Sequence, residues 1–273
     1  MKAAIVGFIG LISVFSVCST AVAVVVDGAT EPHQRQIDSA QSGKNTTTVS
    51  ASSVDNQAPS SSDTNLRPFV ARYKSEWDVG WFSIDIKGTR TLKQLENGHW
   101  QLIFKADSSA AALKEVSRFE VTDGQIQPLE YEYQVSGLVT EPDRHLEFIP
   151  TQEIVRDHKK KRDHTNQWAP GIQDAQTYML QASLDLTLHP TLPLSYPVFE
   201  KKKTKLFNFE IVGEEVIKTQ IGKLNTVKIK QVRKDSREVT VWLAKDHQYL
   251  LARLVDKKKG KTRYRIDLVG IDS

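Results

Sequence analysis

Glu130-Tyr131-Glu132-Tyr133-Gln134-Val135 sets a polar beside an apolar side chain three times in succession. Successive side chains of a strand point to opposite faces, so this run has one wet and one dry face. The same alternation returns at Phe82, Ile84 and Ile86 among Ser83, Asp85 and Lys87, and at Tyr264, Ile266 and Leu268 among Arg263, Arg265 and Asp267. An antiparallel sheet that is dry on one side must fold over on itself to shield that side from water. The expected fold is mainly β: a single antiparallel, strongly curved sheet, half-barrel or barrel-like, with one packed α-helix, over residues 67–273. A signal helix and a disordered linker are expected before it.

Strands are expected near 69–76, 80–95, 98–107, 115–122, 126–135, 143–149 and 152–158, and again near 203–213, 215–220, 224–232, 237–243, 247–256 and 261–270. Asn97-Gly98, Asp123-Gly124, Gly222-Lys223 and Gly260 lie between alternating runs, where hairpins need residues that tolerate positive φ. One helix is expected after Pro170-Gly171. Asp174 caps it, Ala175, Tyr178, Met179, Ala182 and Leu186 form one packing stripe, and His189-Pro190 ends it. The three prolines from Pro190 to Pro197 suggest an extended, irregular connection.

Upstream, Lys2 is followed by an apolar run from Ala3 to Val17 and by Ala21-Val22-Ala23, the small residues that signal peptidase requires. Cleavage is expected after Ala23, giving a periplasmic protein. The alternative is an inner-membrane anchor, since residues 3–26 are long enough to span a bilayer uncut. Cys18 is the only cysteine, and the residues before it lack the small side chain that lipid attachment normally requires. Residues 24–66 are mostly polar and without aromatics, too poor in apolar area to offset ordering entropy, and read as a linker. The charge balance, 37 Lys+Arg against 33 Asp+Glu, does not call for nucleic acid.

There is no G-x-S-x-G elbow, Walker loop, dinucleotide fingerprint or H-E-x-x-H, so no catalytic residue, metal or cofactor is assigned. Histidines beside acids, as in Asp157-His158 and Asp163-His164, alternate faces on a strand and read as rim residues. Three basic clusters stand out: Lys159, Lys160 and Lys161; Lys201, Lys202 and Lys203; and Lys257, Lys258 and Lys259. Charged turns keep β proteins soluble, and gathered on one rim they would instead make an anion-docking surface. Tyr131, Tyr133, Phe148, Tyr178, Phe207 and Phe209 are bulky residues on dry faces, expected to line a pocket if the sheet leaves one.

Ser117-Arg118-Phe119, Asp123-Gly124 and Pro128-Leu129-Glu130-Tyr131-Glu132-Tyr133 resemble the bacterial envelope family termed domain of unknown function 3108. So do Pro170-Gly171-Ile172-Gln173-Asp174, Tyr196-Pro197-Val198, Gly222-Lys223-Leu224-Asn225-Thr226-Val227-Lys228 and Trp242-Leu243-Ala244. The resemblance runs from Phe69 to Ile271. It implies an exported protein with one β-rich domain and brings no activity. The expected function is a periplasmic, non-catalytic binding protein holding an apolar or amphipathic envelope molecule, a lipid or lipoprotein-like cargo. The alternatives are an adaptor that binds a protein or anionic glycan through its lysine clusters, and an envelope-polymer hydrolase using Glu130, His145, Glu147 or Asp174. Oligomeric state is not assigned.

Overall fold

The computed structural model describes residues 66–79, 82–109, 111–137, 141–191 and 193–272. The signal peptide expected over 1–23, the alternative anchor over 3–26 and the linker as far as residue 65 lie outside the described residues. So do Trp81 and the side chains of Trp77, Phe82 and Ile84.

Eight strands come first: β1 (Phe69–Val79), β2 (Phe82–Gln94), β3 (Trp100–Asp107), β4 (Ala111–Thr122), β5 (Gln125–Gly137), β6 (Arg144–Ile149), β7 (Ile154–Asp157) and β8 (Arg162–His164). Helix α1 (Thr177–Leu188) follows. Six more strands complete the domain: β9 (Leu194–Glu200), β10 (Lys203–Thr219), β11 (Gly222–Gln231), β12 (Arg237–Ala244), β13 (Leu250–Lys258) and β14 (Lys261–Asp272). All pair antiparallel in one 14-stranded sheet of order β8-β7-β6-β5-β4-β3-β2-β1-β14-β13-β12-β11-β10-β9. Two meanders are thus stitched together by β1 and β14, in a register that sets Val70 opposite Asp272.

The terminal strands β8 and β9 do not pair with each other, so the sheet is not closed. Their seam is covered by other means. The Gln173 N–H donates to the Pro197 carbonyl at 2.8 Å and the Phe199 N–H to the Gln173 carbonyl at 2.9 Å. The Phe199 ring lies 5.1 Å from His164 and 6.4 Å from Phe148, and the Thr204 N–H donates to Gln167 Oε1 at 2.8 Å.

Three features of the sheet depart from the sequence reading, the first being the short strand β8, which was not expected. Residues 194–200 form a strand despite Pro197, because β9 is an edge strand whose partner β10 does not need the missing donor. Residues 203–219 form one strand rather than two, since Gly213 marks a bulge and not a break: Ile211 faces Ile229 and Gly213 faces Lys228.

The five residues read as a stripe, Ala175, Tyr178, Met179, Ala182 and Leu186, do pack together in the main core, with Ala175 just before the helix, but the helix buries its other side as well. Thr177 to Leu184 and Leu186 are all buried. Tyr178, Met179, Ala182 and Leu186 join the main core, while Leu180 and Leu184 join a second cluster with Leu92, Trp100, Leu102, Phe119, Val121 and Ile126. A helix wrapped on all sides buries residues all round, here Thr177, Gln181 and Ser183 among the apolar ones, which blurs its stripe. Asp174 does receive the helix start, its Oδ1 accepting from the Gln176 and Thr177 N–H groups at 2.7 and 2.9 Å.

The Asp123-Gly124 turn has φ of 51° and 74°, a left-handed pair suited to a two-residue hairpin. A Cβ added at Gly124 would lie 2.7 Å from Leu188 Cδ1. Gly124→Ala is therefore expected to cost about 1–2 kcal/mol, mostly backbone strain, visible as a thermal midpoint a few degrees lower.

Candidate functional site

Consecutive hairpin turns of a meander alternate between the two ends of its strands. The chain enters β1 at one end, which also carries the turns after β2, β4, β6, β10 and β12 and the close of β14. The opposite end carries the turns after β1, β3, β5, β7, β9, β11 and β13.

A cleft of about 180 Å³ opens at the entry end, between the C-terminal half of α1, the start of β1 and the turn after β12. Leu92, Leu180, Leu184, Leu250, Phe69 and Ile271 give it apolar walls, and His247 and Gln248 lie at its edge. The helix hydroxyls facing it are satisfied by backbone: Ser183 Oγ donates to the Tyr249 carbonyl at 2.9 Å and Thr187 Oγ1 to the Ser183 carbonyl at 2.8 Å. The one charged side chain deep in the lining is Arg90, only 2% exposed.

Arg90 stands on the dry face of β2, and its Nη2 donates to the Gln176 carbonyl at 3.3 Å. Burial lowers the pKa of this guanidinium, against the opposing pull of Tyr73, Tyr178, Asp174 and Glu115. The two carboxyl groups are fully buried themselves. Burial pushes Glu115 up to about 7 even though Tyr131 donates to its Oε1 at 2.7 Å. It pushes Asp174 up to about 6 against the hydrogen bonds from Gln176, Thr177 and Ser117. Glu115 Oε2 and Asp174 Oδ2 have no hydrogen-bond partner among the described residues. Across the interior, Arg237 Nε donates to Asp256 Oδ2 at 2.6 Å and Arg237 Nη2 to the Tyr264 hydroxyl at 3.2 Å.

The six aromatic residues expected to line a pocket are gathered in the main core, all 1–7% exposed. Tyr178 meets Phe207 edge-on at 5.3 Å and stacks near Phe209 at 6.2 Å. Tyr131 and Tyr133 bond to Glu115 and Glu141. None of the six lines the cleft. Of the residues expected for hydrolysis, Glu130, His145 and Glu147 meet on the outer face, where His145 Nε2 lies 2.5 Å from Glu130 Oε1 and Glu130 faces Glu147 across the ladder. Asp174 is buried at the start of α1 and does not join them. Among the described residues no group of three or more His, Cys, Asp or Glu is placed to hold a metal ion.

Arg90 had a readable signal. Ile86, Gly88, Arg90 and Leu92 share the dry face of β2, and an arginine in that register is unusual. The leucines of the cleft had none, because each looks like ordinary core.

The family model described as protein of unknown function (DUF3108) matches residues 69–267. A comparison with curated proteins finds no match. Among solved structures, the β-barrel-like protein of domain of unknown function DUF1849 from Brucella abortus is similar over 76% of this chain and 98% of its own, with 9% identity and a TM-score of 0.51. The MucA/MucB complex of Pseudomonas aeruginosa matches at 11% identity over 75% of this chain and 51% of that one, with a TM-score of 0.30. A DUF1329 family protein from Desulfovibrio piger matches at 9% identity over 76% and 85%, with a TM-score of 0.25. The first of these bears on the fold alone.

Proposed function

This chain belongs to the family described as protein of unknown function (DUF3108), and from that premise we propose that it is an exported envelope protein that binds rather than converts. Its occupant is an amphipathic molecule, an acyl chain with an anionic end, seated in the cleft at the entry end. One observation carries this reading: a cleft walled by leucines reaches a buried arginine. Apolar walls with one or two placed polar groups are the usual make-up of small-molecule sites. Export rests on the N-terminal sequence, with its apolar run and Ala21-Val22-Ala23.

The size of the cleft limits what it takes. A cavity of about 150 Å³ accepts a group the size of benzene. A cleft of about 180 Å³ therefore encloses the charged end and first carbons of the chain and leaves the tail outside. Tyr178, which interacts electrostatically with Arg90, stands behind the arginine and does not line the cleft. Tyr131, Tyr133, Phe148, Phe207 and Phe209 belong to the core that packs the sheet against α1.

Displacement of a fluorescent polyene fatty acid from the full chain tests this. Leu184→Trp fills the cleft from the helix side, and Leu66→Trp fills it from the mouth with little disturbance of the core. Each is expected to weaken binding about tenfold or more while the thermal transition stays cooperative. A full chain that binds no fatty acid, or folded variants that bind as well as the parent, would defeat the proposal.

A further inference from the structure

The three lysine clusters lie at one end of the sheet. Lys159 to Lys161 occupy the turn after β7; Lys201 and Lys202 occupy the turn after β9, with Lys203 opening β10; Lys259 occupies the turn after β13, flanked by Lys257 and Lys258 at the end of β13 and Lys261 at the start of β14. Each of these turns follows a strand that runs away from the entry end, so the meander delivers them all to the far end. Two of the clusters reach the same loop. Lys159 Nζ lies 3.9 Å from Asp143 Oδ2 and Lys201 Nζ 3.9 Å from Glu141 Oε1, both acids being in the loop after β5. The third is tied to its neighbour by the Lys259 N–H, which donates to the Ser236 carbonyl at 2.9 Å, beside Lys234.

Most of this charge is unneutralised. Lys161, Lys202, Lys203, Lys257, Lys258, Lys259 and Lys261 are exposed and have no carboxylate within 4.0 Å among the described residues. The entry end mixes both signs instead: Glu96, Asp123, Glu153 and Asp246 lie in its turns beside Lys245, with Lys223 at the start of β11 and Arg67 just before β1. The fold therefore gathers its lysine clusters at one end, where Glu141, Asp143 and Asp235 offset only part of their charge, and a general need for solubility would not require that.

We propose that the far end docks on the surface of an anionic bilayer, its ammonium groups meeting lipid phosphates. The arrangement favours a plane over a compact ligand. The ammonium groups stand on the tips of separate hairpins, and four strand steps of about 4.8 Å separate the turn after β9 from the turn after β13, about 19 Å along the rim. A charged plane engages such tips together, whereas a small anion engages only one of them. Docked this way, the cleft faces away from the lipid. The inference does not depend on what the cleft binds.

Cosedimentation of the full chain with vesicles tests it, using phosphatidylcholine alone or with about one-third phosphatidylglycerol. Binding to the neutral vesicles measures whatever the apolar residues 3–17 contribute. A clear preference for the anionic vesicles is expected, and most of it should vanish between about 0.1 and 1 M salt as the screening length falls from about 10 to 3 Å. With about fivefold per contacting lysine, the pairs Lys202→Gln/Lys203→Gln and Lys257→Gln/Lys258→Gln should each weaken anionic binding by about tenfold or more. Lys93→Gln/Lys223→Gln, at the other end, should change nothing. Equal partition onto both vesicles, or equal effects of all three pairs, overturns the proposal. So does capture of a soluble anionic glycan through the same lysines without any vesicle preference.

Discussion

Asp256→Ala is expected to lower the unfolding free energy by about 3–5 kcal/mol, enough to leave a small domain largely unfolded at moderate temperature. Asp256 faces inward from β13 and is 0% exposed, and its partner Arg237 is 8% exposed. The guanidinium donates to this carboxylate and to the Tyr264 hydroxyl. Without the carboxylate it is left charged and desolvated against a tyrosine, which is why removing one member of a buried pair costs far more than the pair contributes. Arg237→Met/Asp256→Leu replaces both charges by apolar volume and should recover most of the loss. Denaturant titration reads both variants. A loss under about 1 kcal/mol in the single variant would show that water reaches the pair.

Glu115→Gln should act in the opposite direction and depend on pH. The folded pKa of Glu115 is raised to about 7 by burial, well above its ordinary value of 4.5. Below that ordinary value the group is protonated in both states and has no effect on stability. As pH rises from about 4.5 to 7 the unfolded chain releases its proton first, so stability falls across this window and then levels off. The shift corresponds to a loss on the order of 3 kcal/mol, part of it shared with Asp174, which is raised to about 6 and repels Glu115. The glutamine keeps an acceptor for Tyr131 and never ionises. The variant should match the parent near pH 4.5 and exceed it by about 1–3 kcal/mol at pH 8. Groups that act the other way, such as Asp235, held at about 2 by Arg233, and His164, lowered by burial, are common to both proteins and cancel in the difference. Superimposable pH profiles would rule out a buried, ionising Glu115.

The architecture was legible because alternation at Tyr131 and Tyr133 or at Tyr264 and Ile266 is a local signal, and so is the turn chemistry of Asp123-Gly124. The β9 strand was not, because Pro197 reads as a breaker until one knows that it lies on an edge. The helix stripe was legible but incomplete: only the fold reveals that Leu180 and Leu184 also meet a wall. The lysines were plain in the sequence, yet their shared end follows from strand direction, which no single segment contains. The cleft draws on Leu66, Leu92, Leu184 and Leu250, residues far apart in the chain and unremarkable one by one.

The pairing of β1 with β14 has a kinetic consequence. Arg72 and Asp272, 200 residues apart, are bonded in the middle of the sheet, so its central ladder is the one with the longest loop to close. A chain that emerges amino end first completes eight strands with one flank of β1 still bare, and that flank is satisfied only when the last strand arrives. Until then the nascent protein exposes a long edge ready to pair with the wrong neighbour, which makes its assembly slow and dependent on protection from aggregation.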